Sequence, residues 1–192
     1  FLYLLKIIHL IPKNKIMKIL KKLLIGLAIL LGIVLIAAWF TNKEYSVERE
    51  IVINKPKQQV YDYVKFLKNQ NNYSKWATMD ANMKKSFKGT DATVGFVSGW
   101  DSENADLGMG EQEITKMSDG DRIDYELRFI KPMESTSPAY MTTESVSDSV
   151  TKVKWGMSGT MAYPTNAVMW FMDMNKVIGG DLDTGLTALK GI

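Results

Sequence analysis

Cysteine is absent from this chain, and histidine occurs once, as His9. Without cysteine there is no disulfide framework, no thiol nucleophile and no thiolate metal site. The sole imidazole lies in the first ten residues. The rest of the chain therefore lacks Ser-His-Asp and Cys-His chemistry and the commonest metal ligand. Acids are missing from the start as well: all 21 Asp and Glu follow Phe40, whereas Lys6, Lys13, Lys15, Lys18, Lys21 and Lys22 precede it. Residues 41–192 hold 18 basic and 21 acidic side chains, a net −3, so the overall +3 comes from the N-terminal lysines. That balance leaves no basic stripe for a phosphate backbone, and nucleic acid is not an expected partner. No EF-hand spacing appears, and the glycines of "VGFVSGWDSENADLGMG" form neither a P-loop nor a G-x-G-x-x-G motif. No cofactor and no metal are expected.

What is present begins with Leu23–Phe40, eighteen residues without a charge, a proline or an amide. As a helix this run spans roughly 27 Å, close to a hydrocarbon core of about 30 Å. A buried soluble helix, a cleaved secretion signal and a retained anchor all begin this way. A secretory apolar region is shorter, and Ile36 and Trp39 around Ala37-Ala38 make a poor cleavage site. Lys18, Lys21 and Lys22 at the near end and Trp39 at the far end suit the two interfaces of a bilayer. The run is read as a single-pass anchor, N-terminus cytoplasmic and the following domain on the far (periplasmic) side. Met17 followed by "KILKK" reads as a start, with 1–16 as upstream sequence; the alternative is a short amphipathic helix stopped by Pro12. The expected division is a basic segment at 1–22, the anchor at 23–40 and one domain over 41–192.

In that domain "YSVEREIVIN" alternates as a strand, with Val47, Ile51 and Ile53 apolar and Glu48, Arg49 and Glu50 polar. Val60, Tyr61, Val64 and Leu67 mark a short amphipathic helix after Pro56. "NQNNYSKWATMD" reads as a polar, aromatic-punctuated loop or helical turn. From Lys84 onward come short strands separated by turn residues. Ile123, Tyr125, Leu127 and Phe129 face one way and Arg122, Asp124, Glu126 and Arg128 the other, and Val153, Trp155 and Met157 repeat the pattern. This alternation predicts an antiparallel sheet with one covered face. From Thr165 the period becomes helical, with Val168, Phe171, Met172, Val177 or Ile178, Leu182, Leu186 and Leu189 on one side and Gly179-Gly180 and Gly185 as weak points. The expected class is α+β, a curved antiparallel sheet wrapped around a long C-terminal helix.

The first strand followed by "INKPKQQVYDYVKFLKNQNNYSKW" resembles the opening of the START-like or Bet v 1-like superfamily (SRPBCC), often labelled polyketide cyclase/dehydrase. That family leads from "I.aP.e.V" through a small helix into an aromatic W-x-x-W-like loop; here the loop reads Tyr73-Ser74-Lys75-Trp76. The strands at Gly110-Glu111 and Arg122-Ile123 and the C-terminal helix fit the same order, so the likeness covers about residues 45–190. With its anchor, the chain resembles membrane-tethered bacterial members. The resemblance implies a helix-grip fold with an apolar cavity for lipids, sterols, polyketides or other hydrophobic small molecules. A minority of the family catalyse cyclisation, dehydration or hydrolysis.

The residues themselves point to a cavity between Tyr125, Leu127, Phe129, Trp155 and Met157 on the sheet and Phe171, Met172 and Ile178 on the helix, with Phe96 and Trp100 closing one side. Eleven methionines follow Phe40, and their flexible thioethers suit an adaptable pocket. Tyr73 and Trp76 are candidates for its mouth. Glu111, Glu113, Arg128, Tyr140 and Glu144 are the polar candidates. Ile114 pointing inward sends Glu111 and Glu113 outward, which leaves Glu144, with Tyr140, as the acid expected to reach the cavity. Two functions follow: a membrane-anchored binding or carrier domain for a hydrophobic small molecule or lipid, which is preferred, or a cyclase/dehydrase-like enzyme using Glu144 or a tyrosine as acid–base.

Overall fold

The computed structural model describes residues 13–192; His9 and the expectations for the first twelve positions lie outside them. The chain forms two compact units. One joins residues 13–43 to Met161–Phe171, and the other joins Glu44–Thr160 to Met172–Ile192.

The first unit is built on helix α1, Lys13–Phe40. Its stretch from Lys15 to Phe40 is long and apolar enough to cross a membrane. Apolar side chains stand exposed on every side, from Ile19 and Leu23 to Leu30, Ile36 and Phe40. Ala38, in contrast, is fully buried. This unit also contains the 3-10 segment Thr165–Trp170.

The second unit is a seven-stranded antiparallel sheet with a helix on its inner face. The strands are β1 (Glu44–Ile53), β2 (Lys84–Lys88), β3 (Val97–Asp101), β4 (Met109–Ser118), β5 (Arg122–Lys131), β6 (Ser135–Ser147) and β7 (Val150–Thr160). Their order is β1-β7-β6-β5-β4-β3-β2, so consecutive strands from β2 to β7 are neighbours and β1 closes the far edge on β7. Helix α2 (Lys57–Val64), a 3-10 turn (Leu67–Asn72) and the short α3 (Lys75–Thr78) connect β1 to β2, and α4 (Met174–Lys190) ends the chain.

Period-two alternation sorts each strand into two faces. In β6, Ser137, Ala139, Met141 and Thr143 are buried and the residues between them are not. The core gathers Val47 and Ile53, the α2 residues Val60, Tyr61 and Val64, Phe96, Ile114, Ile123, Tyr125 and Val153, and from α4 Ile178, Leu182, Leu186 and Leu189. Arg49 departs from the expected outward set. It shares the inner face with Val47 and Ile51, where Nη2 donates to Asn175 O (2.6 Å) and Nε pairs with Asp183 (3.1 Å). A side chain at Gly179 would collide with that guanidinium. At Gly185 an added Cβ would lie 2.8 Å from Trp155 Cζ3. The glycines expected to weaken the helix instead let the sheet's side chains close on it, and α4 runs unbroken.

The C-terminal helix starts later than its periodicity suggested. Asp173 caps it, its carboxylate accepting from Lys176 N, so Val168, Phe171 and Met172 all precede it. An Asp N-cap satisfies an orphan amide and sets a boundary that apolar spacing alone passes over.

Candidate functional site

Between the sheet and α4 lies a cavity of about 310 Å³. Leu127 and Phe129 on β5, Ala139 on β6, and Trp155 and Met157 on β7 form its floor, and Ile178 and Leu182 on α4 its roof. Trp100 on β3 lies along one side; its Nε1 donates to Leu107 O (3.1 Å) and its ring meets Phe129 edge-on at 5.9 Å. Gly110, paired with Trp100 across the strands, makes this possible, since a Cβ there would clash with the indole. On the other side the turn after α2 contributes Leu67, Gln70 and Ser74, and α3 contributes Trp76, whose ring stands perpendicular to Trp155 at 6.0 Å. The exposed Lys85 and Asp106 also border the space, with Lys85 Nζ donating to Ala77 O (3.2 Å).

Six of the twelve expected site residues therefore line one space: Trp76, Trp100, Leu127, Phe129, Trp155 and Met157. Phe96 and Tyr125 are buried but serve the core; Phe96 stacks on Phe87 at 6.2 Å. Tyr73 is also core, packed edge-on against Trp155 at 5.8 Å, with its hydroxyl donating to Met141 Sδ (3.7 Å). Burial pushes the hydroxyls of Tyr73 and Tyr125 well up.

The remaining four expectations are corrected. Phe171 and Met172 are exposed and lie before α4, so they do not meet the sheet face. Tyr140 and Glu144 belong to the outer face of β6, because the buried set of that strand is Ser137, Ala139, Met141 and Thr143. Glu144 is exposed and pairs with Lys152 (2.9 Å), which holds its carboxyl below the usual range. Tyr140 donates to Glu48 and lies under the Arg122 guanidinium, 4.1 Å from the ring centroid. Desolvation, followed by that hydrogen bond, pushes its hydroxyl up to about 12. The outward reading of Glu111 and Glu113 agrees with the structure, where both flank Arg128 at 2.7 and 2.8 Å. Of the eleven methionines after Phe40, Met83 and Met157 line the cavity.

Gln70 is one of several lining residues that the sequence did not single out, with Leu107, Gln112 and Ala139 among the others. It is 7% exposed, and its Nε2 is buried with no hydrogen-bond partner among the described residues. The neighbouring Gln70 amide partly offsets the rise that burial causes at Tyr125. Asp91 fixes the turn that carries Gln70, its two carboxylate oxygens accepting from Leu67 N (2.8 Å) and Lys68 N (3.1 Å). A buried donor without an acceptor costs about 1–3 kcal/mol, so an acceptor brought to it is strongly favoured. The clue was a helical spacing that continues from Leu67, the last apolar residue of the expected helix, to Gln70 and Ser74 in the run read as a loop or helical turn. Among the described residues no group of three or more Asp, Glu, His or Cys is arranged to hold a metal ion.

This architecture is the Bet v 1-like helix-grip fold. The chain is similar in structure to a Thermobifida fusca protein (TM-score 0.58, 16% identity, covering 76% of this chain and 90% of the other). It is likewise similar to a Nitrosospira multiformis protein (0.53, 17%, 77% and 94%) and to Ara h 8.0201, a Bet v 1 protein (0.52, 10%, 77% and 96%). At these identities the likeness concerns the fold. No protein-family model and no curated protein matches the sequence.

Proposed function

We propose that this protein is a membrane-anchored binding or carrier domain that holds a hydrophobic small molecule or lipid between its sheet and α4. The observation that carries the reading is the cavity. At about 310 Å³ it lies at the lower end of the range of small-ligand sites, and its walls are mainly aliphatic and aromatic. The unpaired buried donor of Gln70, on the cavity wall beside the equally unpaired Tyr125 hydroxyl, favours an apolar molecule bearing a hydrogen-bond acceptor, such as a carbonyl, ester or hydroxyl. The catalytic alternative loses its named acid, because Glu144 stands on the opposite face of the sheet. Helix α1 supplies the anchor, with the lysines of its N-terminal end on the cytoplasmic side and the domain beyond the membrane.

The test is to purify the full chain, extract it and identify bound organic material by mass spectrometry. An apolar compound with an acceptor group is expected. In Gln70→Leu its occupancy should fall about tenfold, the equivalent of one hydrogen bond of about 1.4 kcal/mol. Empty protein under all extraction conditions would refute the carrier reading, and a bound hydrocarbon lacking any acceptor would refute the role of Gln70. For orientation, a reporter that matures only in the cytoplasm should stay dark when fused after Ile192.

A further inference from the structure

We propose that residues 161–171 are a second membrane contact, an aromatic collar clamped to the last turn of α1 and lying in the headgroup region of the bilayer. This rests on reading α1 as the anchor. The segment "MAYPTNAVMWF" contains no charged residue. It begins where Met161 N donates to Lys43 O (2.7 Å), then turns at Pro164 into the 3-10 stretch Thr165–Trp170. At its centre Asn166 is fully buried, and its Nδ2 donates to Ala38 O (2.7 Å) and Thr41 O (3.2 Å). The carbonyls of a helix's last turn have no partner within the helix. Here Ala38 O accepts from Thr41 N (3.2 Å) and, as a second and shorter bond, from a side chain more than 120 residues away in sequence. Trp170 Nε1 donates to Thr41 Oγ1 (2.8 Å), and Tyr163 meets Trp39 edge-on at 5.5 Å. Ala38, the buried small residue of the turn, gives the segment room to approach.

These bonds set the depth of the segment. Tied to Ala38 and Thr41, it lies level with the end of the apolar span, where tryptophan and tyrosine concentrate in membrane proteins. Its outward side presents Tyr163, Val168, Trp170 and Phe171, the last 90% exposed, beside the exposed Trp39 and Phe40 of α1. In water such a patch would be a liability. At an interface the rings bury their apolar bodies, and indole and phenol keep a polar end for water and headgroups. A lipid surface is favoured over a protein partner because the patch is continuous with a helix whose own exposed sides need hydrocarbon. The clamp also ties the helix to the rest of the unit: removing α1 would strip Asn166 of its Ala38 acceptor and Tyr163 of the Trp39 ring.

The absence of cysteine makes the test direct. Single cysteines at Val168→Cys and, as a deep reference, Leu31→Cys are labelled with the environment-sensitive fluorophore NBD in the full chain. The protein is reconstituted in phosphatidylcholine vesicles containing lipids spin-labelled at a shallow or a deep acyl position. The label at 168 should emit as in a membrane interface and be quenched more by the shallow probe, and the label at 31 more by the deep one. Adding Asn166→Asp, which sets a carboxylate against two carbonyl oxygens, should at least halve quenching at 168 and leave that at 31 unchanged. Thr41→Val, which removes only the indole's acceptor, should shift it in the same direction by less. A water-like signal at 168 with quenching intact at 31 would overturn the collar and leave the anchor standing. Water-like signals at both positions would overturn the anchor reading and the collar with it. Unchanged quenching at 168 in both Asn166→Asp and Thr41→Val would refute the clamp.

Discussion

The two long helices of this protein are apolar in opposite ways. Helix α1 carries leucine, isoleucine and valine around its whole circumference, and its side chains stand exposed. Helix α4 confines Ile178, Leu182, Leu186 and Leu189 to one stripe and buries all four. Its other side carries Lys176, Thr184 and Thr187 in solvent. A stripe is what one sheet can cover, whereas an apolar surface on all sides needs a surrounding medium. The glycines differ in the same sense. Gly26 and Gly32 of α1 have open space where a side chain would stand, but Gly179 and Gly185 of α4 are filled by Arg49 and Trp155. The placing of apolar residues thus separates a helix that is apolar on every side from one made for a protein groove.

The largest expected effect breaks the first half of this contrast. Arginine at Leu27 and Leu31 together places two charges in the span, each costing about 3 kcal/mol at a helix centre. The fraction of protein that sediments with membranes should fall more than a hundredfold, while the denaturant midpoint of the Glu44–Thr160 domain stays unchanged. Retention of the variant in the membrane would show that α1 is not a lipid-facing span.

Helix α4 gives the next effect, through two glycines five residues apart. Gly185→Ala drives a methyl against Trp155 and should destabilise the domain by about 1–3 kcal/mol, the usual range for overpacking. Gly180 is exposed with nothing within 4 Å of an added Cβ, so Gly180→Ala should stabilise by about 0.5–1 kcal/mol through helix propensity. Equal shifts of the chemical-denaturation midpoint in one direction would contradict the gripped arrangement of α4.

A weaker, pH-dependent contrast separates buried from paired tyrosines. Burial raises the hydroxyls of Tyr61, Tyr73 and Tyr125; at Tyr140 burial and the Glu48 hydrogen bond together raise it, to about 12. In the unfolded chain all four titrate near 10. Below pH 10 both states keep the proton, so these groups add no pH dependence. Above it the unfolded state loses protons that the native state retains, and stability falls with rising pH. Tyr140 stops contributing to the slope above about pH 12. Tyr73→Phe should lower the stability slope between pH 10 and 11 by up to one proton, as measured by urea unfolding at fixed pH. An unchanged slope would mean that Tyr73 titrates normally in the fold.

Much of this was legible in advance where a period could be read. The strand faces of β5 and β7 and the stripe of α4 follow from alternation at two and at three or four residues. Five of the six cavity residues that were anticipated come from such runs or from the aromatic turn, and Trp100 comes from the short strand β3. Failures occurred where periodicity says nothing about boundaries or phase. Val168, Phe171 and Met172 match a helical spacing, but the Asp173 cap begins the helix after them. In "AYMTTESVS" apolar and polar residues do not alternate cleanly, so the phase was read one residue out, and Tyr140 and Glu144 were sent inward in place of Ala139 and Met141. Gln70 was hidden by its chemistry, since an amide among asparagines reads as solvated whichever way it points. The Asn166 contacts to α1 are long-range, and no local pattern marks them.

Strand β6 supplies the last and smallest test. Ala139 and Glu144 lie five residues apart, on opposite faces of one strand. Ala139→Phe puts a ring into the cavity and should displace most of the bound compound. Glu144→Gln acts on an exposed carboxylate whose partner, Lys152, is held by a salt bridge across the outer ladder. Exposed pairs of this kind contribute little to stability, so the variant should match the parent in denaturant midpoint and in ligand occupancy. Its pH dependence should differ only on the acid side. The carboxyl is held below its ordinary value by Lys152, so that contribution is present above the unfolded carboxylate range and is lost as the pH falls through the folded value. If Glu144→Gln instead emptied the protein or abolished a turnover seen in the parent, Glu144 would have to reach the ligand, and the assignment of inner and outer faces along β6 would be reversed.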